Sequence, residues 1–529
     1  MMTVRVDELI LAAAHNYPDA IALKDGAQEI SYRALAAEVG QGANLFLRLG
    51  LARADRVAVY MDKRIATVVA MFGAAAAGGV FVPVNPLLKA EQVAHILRDC
   101  NVRILVTTAE RLELLRPVLV DCSDLQAIVV VSDQPVAAFE NKSCVNWAER
   151  LQAPELVPHR VIDGDMAAIL YTSGSTGKPK GVVLSHRNLV AGAESVAEYL
   201  ENHAADRILS VLPLSFDYGL NQFTSAFLVG ACVVLMNYLF PRDVIRMVER
   251  EKITGLAAVP PLWVQLAQMD WPIGVDEHLR YFTNSGGAMP QATLSALRSK
   301  LPKTLPYLMY GLTEAFRSTY LSPEEASRRP DSIGKAIPNA EILVVRPDGT
   351  PCAANEEGEL VHRGVHVALG YWNDVGKTAV HFKAAPGLPA GLPVPEMAVW
   401  SGDTVRRDEQ GFLYFIGRRD EMIKTSGYRV SPAEVEEVVY NTQLVVETAA
   451  LGVAHPLLGQ AVVLVIYAPG QDESVSETLL TACKRQLPAF MLPARIVVRE
   501  QALPRNPNGK IDRKWLAGEL AELFLENAL

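Results

Sequence analysis

The sequence predicts an α/β protein with a large N-terminal domain of covered β-sheets and a β-rich subdomain, followed by a small α+β C-terminal domain. Three observations lead to this prediction. The chain has 529 residues, which is too long for a single compact core. Its N-terminal part alternates β-branched runs with helical patterns, as in a parallel sheet covered by helices. After residue 342 short strands and turns follow one another, and a new alternation begins after residue 417.

The N-terminal alternation can be followed element by element. A helical pattern at 4–15 comes first, and Ser31 is placed to cap a second helix. The predicted strands of this part are 20–24, 29–32, 57–60, 80–84, 104–107 and 127–131. Beyond residue 200 the predicted order is strand 207–212, helix 221–229, strand 231–236, helix 242–251 and strand 255–259. This repetition indicates parallel strands joined by helical crossovers.

One uncharged stretch, 65–84, is long enough to span a bilayer. It is interrupted by Gly73, Gly78, Gly79 and Pro83. We therefore interpret it as a buried helix at 65–77 followed by a buried strand. The sequence thus predicts no stable membrane insertion.

Composition excludes several classes of protein. The net charge is −9, from 50 basic and 59 acidic residues without a long charged block, which argues against binding to nucleic acid. The six cysteines form no CxxC pair, which indicates reduced thiols rather than a disulfide framework or a zinc site. Residues 1–25 lack the layout of a signal peptide. We therefore expect a cytoplasmic protein.

The domain boundary is predicted where the second alternation begins. Residues 1–417 form the predicted N-terminal domain, 418–421 the boundary, and 422–529 the C-terminal domain. The segment 383–395 is rich in Pro, Gly and Ala and is predicted to be a surface loop.

The stretch 169–185 carries the strongest chemical signal, and it reads ILYTSGSTGKPKGVVLS. Glycines let backbone N–H groups approach a phosphate, hydroxyl groups donate to phosphate oxygens, and lysines supply positive charge. The loop is not a Walker motif, because Pro179 follows Lys178 where that motif opens a helix. We interpret it as two strands joined by a loop that folds over a triphosphate, rather than as a plain hairpin. The predicted phosphate-binding residues are Thr172, Ser173, Gly174, Ser175, Thr176, Gly177 and Lys178.

Three further segments could complete a nucleotide site. In the segment 310–315, YGLTEA, the ring of Tyr310 can stack on a base and Glu314 can hold magnesium beside phosphates. Further on, Asp403 can accept hydrogen bonds from both ribose hydroxyls, and Arg418 can reach ribose or phosphate. The segment 285–290, SGGAMP, fits a tight turn that lines the base. Taken alone, each of these features could also be an ordinary turn or surface feature.

Together these motifs resemble the signatures of AMP-forming adenylating enzymes, the superfamily of acyl-CoA synthetases, peptide-synthetase adenylation domains and luciferases. The resemblance covers nearly the whole chain, with the signatures in the family's order. The residues of these motifs are most similar to those of stand-alone AMP-forming acyl-CoA ligases. The segments 400–403 and 426–432 also resemble the branch of these ligases that is associated with exosortase systems.

The resemblance implies a role for each matching residue. Glu314 and Thr172 would bind Mg²⁺, and Lys510 would be the catalytic lysine that touches the attacking carboxylate and the α-phosphate. Asp420 would be the pivot of the hinge. The implied nucleotide-binding set adds to the phosphate loop the residues Gly287, Ala288, Tyr310, Gly311, Thr313, Asp403 and Arg418.

The implied reaction has two steps and uses ATP, Mg²⁺ and CoA. A carboxylate attacks the α-phosphorus of ATP to give an acyl-adenylate, and a thiol then displaces AMP. Neither step needs a protein nucleophile, so catalysis rests on positioning and charge neutralisation. The resemblance implies that residues 418–421 are a hinge and that 422–529 form a mobile lid domain. The lid domain would present Lys510 for the first step and then turn about Asp420. Gly427 and Tyr428 would then line a tunnel for the thiol.

The resemblance leaves other functions open. A stand-alone enzyme that loads an amino acid onto the phosphopantetheine of a carrier protein would use the same chemistry. For CoA, which we expect as the acceptor, the candidate nucleotide-binding cations are Lys424, Arg429 and Lys484. A catalytically inactive relative is disfavoured, because Lys510, Glu314 and Asp403 are all present. A serine hydrolase is disfavoured, because no G-x-S-x-G elbow stands between a strand and a helix.

The segment 213–221, PLSFDYGLN, resembles the family's entry to the acyl pocket and departs from the fatty-acid pattern. Phe216 stands where many acyl-CoA synthetases have histidine, and Asp217 stands where they have an uncharged residue. In amino-acid-activating relatives an aspartate here pairs with the α-ammonium group, and a carboxylate facing a buried acyl chain would be costly. This predicts a short polar or amino-bearing carboxylate as substrate, unless Asp217 instead caps a helix. The implied pocket residues are Phe216, Asp217, Asn221, Met309 and Arg317.

Overall fold

A computed structural model describes residues 3–136, 139, 141–172, 179–287, 289, 291–389, 391, 393–418, 422–430, 432–442, 444–470, 474–504 and 511–524. It confirms the predicted α/β fold class, with a large N-terminal part built on sheets and a smaller C-terminal part. Three sheets are assigned within these residues.

The strands before the predicted hinge are β1 (Ile21–Asp25), β2 (Gln28–Ser31), β3 (Arg56–Tyr60), β4 (Val80–Pro83), β5 (Val102–Thr108), β6 (Ala127–Val131), β7 (Ser143–Asn146), β8 (Met166–Thr172), β9 (Lys180–Ser185), β10 (Arg207–Ser210), β11 (Cys232–Leu235), β12 (Gly255–Ala258), β13 (Tyr281–Asn284), β14 (Leu305–Tyr310), β15 (Thr319–Leu321), β16 (Ser332–Ala336), β17 (Ala340–Val345), β18 (Glu357–Gly364), β19 (Gly370–Tyr371), β20 (Phe382–Ala384), β21 (Met397–Arg407) and β22 (Leu413–Arg418). Those after it are β23 (Ile423–Thr425), β24 (Tyr428–Val430), β25 (Glu447–His455), β26 (Gly459–Tyr467) and β27 (Arg495–Arg499).

The α-helices are α1 (Glu8–Asn16), α2 (Tyr32–Arg48), α3 (Ile65–Ala76), α4 (Ala90–Asp99), α5 (Ala109–Leu119), α6 (His186–Tyr199), α7 (Asp217–Val229), α8 (Pro241–Arg250), α9 (Pro260–Gln268), α10 (Gln291–Lys300), α11 (Glu325–Arg328), α12 (Val375–His381), α13 (Pro432–Asn441), α14 (Val475–Gln486) and α15 (Arg513–Glu519). Short 3₁₀ turns are Trp147–Gln152, Val275–Glu277, Thr313–Ala315 and Ala489–Met491.

Eight described strands form one sheet in the order β19-β9-β8-β4-β3-β5-β6-β7. From β4 to β7 the neighbouring strands are parallel, as the β-branched runs predicted. The helix α3 connects β3 to β4 and is buried along most of its length, which explains its apolar sequence. Within the described residues, no helix is long and apolar enough to cross a membrane.

Fourteen described strands form a larger sheet in the order β17-β18-β21-β22-β16-β15-β14-β13-β12-β10-β11-β1-β2, with β20 beside β21. The strands from β11 to β14 run parallel, so their carboxyl ends meet at one edge. In sheet order, β14, β15, β16, β22, β21, β18 and β17 are antiparallel neighbours. The region predicted to be all-β from residue 342 supplies four of these strands, but it also contains the short helix α12. The short strand β1 from the N-terminus pairs with β11 at the far edge.

The phosphate-loop sequence lies between two antiparallel strands, β8 and β9. Their register places Thr172 opposite Lys180. The predicted strands on both sides of the loop are therefore confirmed, whereas residues 173–178 lie outside the described residues.

The C-terminal part has its own sheet, in the order β24-β23-β26-β25 with β27 parallel to β26. Val435 of α13, Leu464 of β26 and Leu479 of α14 belong to one buried cluster of this part. The chain leaves the larger sheet at Arg418 and enters this sheet at Ile423. The division into two domains and the hinge at 418–421 stay predictions.

Candidate active site

A cavity of about 580 Å³ lies where the parallel strands of the larger sheet end. Phe216 follows β10, Val259 follows β12, Gly287 follows β13 and Gly311 follows β14, and all four line it. The C-terminal part of the chain closes another side with Gly427. Ligand sites commonly lie at such an edge and between domains.

Most of the predicted nucleotide-binding residues that the structure describes lie on this cavity. These are Thr172, Gly287, Tyr310, Gly311 and Thr313. The hydroxyl oxygen of Thr172 is buried and has no hydrogen-bond partner among the described residues. A buried polar atom in this state is costly, so Thr172 is suited to a phosphate oxygen or a metal ion.

Glu314 lies in a 3₁₀ turn directly behind the cavity wall. The Tyr371 hydroxyl donates to its Oε1 at 2.7 Å, and Lys180 Nζ is 3.8 Å from the same oxygen. Burial by itself would raise the pKa of Glu314, but the charges of Lys180 and Arg429 and the hydrogen bond from Tyr371 lower it to about 2. Glu314 is therefore ionised at neutral pH, as a magnesium ligand must be.

Asp403 and Arg418 are register neighbours on β21 and β22. The Asp403 side chain is buried, and the Tyr310 hydroxyl donates to its Oδ2. Tyr310 lines the cavity, whereas Asp403 is not among the lining residues and lies behind the tyrosine hydroxyl. The strand register therefore places the backbones of Asp403 and Arg418 side by side, and both residues are predicted to bind the nucleotide.

The segment after β13 turns tightly at the cavity wall. Gly286 has a φ of 80°, in the left-handed region that glycine adopts without strain. Asn284 Nδ2 donates to the carbonyl oxygen of Gly287 at 2.9 Å and closes the turn. Ala288 lies outside the described residues. The turn presents backbone rather than large side chains, which suits a flat base.

The C-terminal part of the chain reaches the cavity through the turn between β23 and β24. Gly427 has a φ of 81°, and a Cβ added to it would lie 2.7 Å from a methyl group of Val259. Tyr428 stacks on Phe490 with ring centroids 3.7 Å apart and meets the Phe216 ring edge-on at 5.0 Å. The residues that resemble a thiol tunnel therefore line the cavity from the lid side.

An ion pair lies in the wall at the predicted acyl end. Arg317 Nη1 donates to Asp217 Oδ2 at 2.8 Å, and Thr313 Oγ1 is 3.4 Å from Asp217 Oδ1. The Arg317 side chain is 2% exposed and packs over the ring of Tyr218, with the centroid 4.8 Å from Cζ. The alternative that Asp217 caps α7 is wrong, because Phe216 holds the N-cap position and Asp217 is already helical.

The remaining predicted acyl-pocket residues divide between two cavities. Phe216, Asp217 and Arg317 line the main cavity, and Met309 lines both it and a second cavity of about 30 Å³. Asn221 differs from the expectation, because it lies only on the smaller cavity. One helical turn separates it from Asp217, so the two side chains reach different depths behind the wall.

A strained turn connects Glu314 to Arg317. Phe316 has a φ of 54°, and the Arg317 N–H donates to the Ala315 oxygen at 2.5 Å, so these residues form a γ-turn. The Phe316 ring is seated against α6, where a Cβ added to Gly192 would lie 2.3 Å from it. Such strain persists only where the surroundings enforce it. The turn lets neighbouring residues serve the phosphate end and the acyl end of one cavity.

Several predicted site residues lie outside the described residues. They are Ser173, Gly174, Ser175, Thr176, Gly177, Lys178, Ala288, Asp420 and Lys510. Two further residues support the site and were not predicted from the sequence. Tyr371 donates a hydrogen bond to Glu314, and Gly192 leaves the space that the Phe316 ring fills. Neither belongs to a motif, and Tyr371 is 57 residues from Glu314, so no local pattern points to either contact.

The described donor set fits a magnesium nucleotide. Thr172 offers a hydroxyl oxygen and Glu314 an ionised carboxylate, and both are hard oxygen ligands. Lys180 and Arg429 add positive charge at the same end, where phosphates would need it.

Comparison with known protein families agrees with this geometry. Residues 10–372 match the model of the family described as AMP-binding enzyme. Residues 434–510 match the model described as AMP-binding enzyme C-terminal domain.

Two curated relatives have the same extent as this chain. An L-proline–[L-prolyl-carrier protein] ligase of Pseudomonas fluorescens is 30% identical over 523 residues, which cover 97% of this chain and 99% of the relative. A long-chain-fatty-acid–CoA ligase of Salmonella typhimurium is 30% identical over an alignment that covers 97% of this chain and 94% of the relative.

A solved structure extends the comparison to three dimensions. A double mutant of o-succinylbenzoate CoA synthetase from Bacillus subtilis, bound with a product analogue, superposes with a TM-score of 0.81 at 25% identity. The superposition covers 96% of this chain and 97% of that one. The chain therefore belongs to the AMP-binding enzyme family, as an adenylate-forming ligase.

Proposed function

We propose that the protein activates a short carboxylic acid carrying a hydrogen-bond donor, and transfers the acyl group from AMP to the thiol of CoA. The observation that carries the substrate class is the Asp217–Arg317 ion pair in the wall of the acyl end. The family relationship supports the reaction class, whereas the choice of acid rests on this chain's own residues.

The ion pair presents a hydrogen-bond acceptor to the substrate. Arg317 binds one oxygen of Asp217 from behind, while the Asp217 side chain keeps 17% exposure towards the cavity. Among the described residues its Oδ1 has only the long Thr313 contact of 3.4 Å, so it can accept a hydrogen bond from an ammonium, amine or hydroxyl group. An apolar chain here would desolvate the pair without replacing its lost hydration.

Arg317 also lowers the cost of keeping Asp217 charged before substrate binds. An isolated carboxylate in such a wall would be unstable, whereas a paired one retains its position and its second lone-pair site. The pair is thus a fixed acceptor, and its rigidity favours recognition of a short, defined group over a flexible chain.

The proposed chemistry needs positioning and charge rather than a nucleophile. Glu314 and Thr172 would hold Mg²⁺, which when bound neutralises charge on the phosphates. Lys180 and Arg429 keep Glu314 ionised for this role. For adenylate formation we assign the transient cation to Lys510 and the pivot to Asp420, both by resemblance.

The lid contacts support a thiol-transfer arrangement. Gly427 packs on Val259, and Tyr428 packs on Phe216, so the turn between β23 and β24 is seated in the cavity. On the lid side the wall also includes Phe490 and Met491. An apolar passage of this kind suits the uncharged pantetheine arm, which CoA shares with carrier proteins.

A carrier protein is the second candidate for the acceptor. The L-prolyl-carrier protein ligase aligns over nearly its whole length, and its acid bears an amine. Two of the candidate cations for CoA make contacts in the cavity wall instead. Lys424 Nζ lies over the Phe415 ring, 4.5 Å from its centroid, and the charge of Arg429 lowers the pKa of Glu314. Lys484 lies near the end of α14.

All six cysteines are free of disulfides, in keeping with a cytoplasmic protein.

The test of the substrate class is pyrophosphate exchange with a panel of acids. Wild type and Asp217→Asn are compared on amino, hydroxy, dicarboxylic, aromatic and fatty acids. We expect wild type to prefer a short amino or hydroxy acid, and Asp217→Asn to lose that preference by about tenfold or more. Asp243→Asn, in the first turn of the surface helix α8, is the matched control and should keep the wild-type profile.

The acceptor is tested with the best acid from this panel. Thioester formation is measured with CoA and with a phosphopantetheinylated carrier protein. Thioester on the carrier but not on CoA would reverse the proposed acceptor. A wild type that exchanges best with long-chain fatty acids, and an Asp217→Asn variant with the same profile, would refute the proposed substrate class.

A further inference from the structure

A small cavity lies behind the acyl end of the main cavity. It holds about 30 Å³ and shares Tyr218 and Met309 with the main cavity. Both side chains are buried, at 8% and 7% exposure, so they form a partition between the two spaces. The Tyr218 hydroxyl is 2.5 Å from Thr283 Oγ1, and the Tyr199 hydroxyl donates to Met309 Sδ at 2.9 Å. These bonds fix the partition in place.

The space behind the partition is polar. Gln222 Oε1 and Ser225 Oγ are buried and have no hydrogen-bond partner among the described residues. Asn202 and Tyr281, hydrogen-bonded to each other at 2.9 Å, form another part of the wall. Unpartnered buried acceptors are costly, so this wall needs water or a polar ligand group. The cavity has room for about two water molecules, at about 10–15 Å³ each.

We propose that Met309 and Tyr218 set the length limit of the acyl group, and that the space behind them accepts a polar chain end once the partition is opened. This inference rests on the proposed function, because it assumes that the acyl group lies beside Asp217. A longer apolar chain would displace water from Gln222 and Ser225 and leave both unsatisfied. A chain that ends in an amide or a hydroxyl could replace that water.

Met309 is the part of the partition that can be removed. Its thioether separates the two cavities and accepts one hydrogen bond from Tyr199, whereas Tyr218 also packs under Arg317. Shortening Met309 therefore joins the cavities without removing the cation–π contact that supports the ion pair.

The test is a chain-length profile measured by pyrophosphate exchange. Straight-chain acids of increasing length, each ending in a methyl or a primary amide, are compared with wild type, Met309→Ala and Met309→Val. We expect wild type to favour short acids. Met309→Ala should improve longer amide-ended acids relative to short ones by about tenfold, and methyl-ended acids should gain less. Met309→Val should shift the profile less, in the same direction.

Met289→Ala is the matched control, because Met289 lines the main cavity but not the smaller one. Whatever its effect on rate, it should leave the optimal length unchanged. Adding Ser225→Val to Met309→Ala should reduce the preference for an amide end. A double variant that keeps this preference in full would contradict the polar character of the extension.

Two results would contradict the proposal that Met309 and Tyr218 limit the length of the acyl group. One is an unshifted profile in both Met309 variants beside a wild type that prefers short acids. The other is an equal shift in Met289→Ala. By contrast, a wild type that exchanges best with long methyl-ended acids would overturn the proposed substrate class, and the length limit with it.

Discussion

At the scale of single residues, backbone strain and close contact decide where the reactive side chains lie. The γ-turn at Phe316 separates the roles of two residues that are nearly adjacent in sequence, Glu314 and Arg317. The turn is held by Gly192, which has no side chain beyond a hydrogen atom and no part in the chemistry. Its contribution is the space that the Phe316 ring occupies.

Gly192→Ala should lower adenylation, because its methyl group would displace Phe316 and with it the γ-turn. A misplacement of about 1 Å at a reacting group costs about a hundredfold in rate, and we expect a loss of this order in kcat/KM. Pyrophosphate exchange measures it. Gly40→Ala is the control, since Gly40 is also inside a helix but has open space around it. That change should stabilise the protein by up to about 1 kcal/mol. Equal activity of both variants would contradict the assigned role.

At the scale of elements, the turn between β23 and β24 links the small sheet to the larger one. Its contacts are made by Gly427 against Val259 and by Tyr428 against Phe490 and Phe216. Gly427 lies against Val259, which follows β12. The turn therefore fits into the cavity only with a glycine at position 427. This element should therefore control thiol transfer more than adenylation.

Gly427→Ala should slow thioester formation from a supplied acyl-adenylate and largely spare pyrophosphate exchange. The added methyl would overlap Val259, and overpacking of this kind costs about 1–3 kcal/mol. Positive φ adds a cost of its own, so the control is Gly470→Ala, where φ is 82° but the space is open. The docking role would be wrong if both half-reactions fell equally, or if Gly470→Ala reproduced the effect.

At the scale of the whole molecule, buried histidines make stability depend on pH. His362 Nδ1 is 3.0 Å from Ser318 Oγ, and His366 Nε2 is 3.0 Å from Ser195 Oγ. Burial lowers the pKa of His362 to about 3 and that of His366 to about 4. Both are neutral in the folded protein at pH values where the unfolded chain already binds protons.

The free energy of unfolding should therefore be full above about pH 6.5 and fall as the pH drops towards 4. At about pH 5 we expect a loss of about 2 kcal/mol for each histidine. Urea unfolding across this range measures the slope. His362→Gln should reduce the slope, and His15→Gln, at the exposed end of α1, should leave it unchanged. An unchanged slope in His362→Gln would contradict the assignment.

The sequence by itself determined the parts of the protein that depend on neighbouring residues. The strand 127–131 is β6, and Ser31 caps α2 by accepting a hydrogen bond from the Ala34 N–H at 3.3 Å. The strands around the phosphate loop follow from their apolar runs, and the change of sheet follows from the change of pattern near residue 418. Periodicity and capping act over a few residues, so a single sequence shows them.

Only the tertiary structure decided which distant segments meet. Arg317 reaches Asp217 across 100 residues, and β1 joins the larger sheet beside β11 rather than the sheet of its sequence neighbours. The partition formed by Tyr218 and Met309 likewise exists only after α7 and β14 are packed together. Such contacts depend on how whole elements pack, and local preferences carry no record of that packing. The reaction class could therefore be predicted from motifs, whereas the shape and charge of the acyl end required the fold.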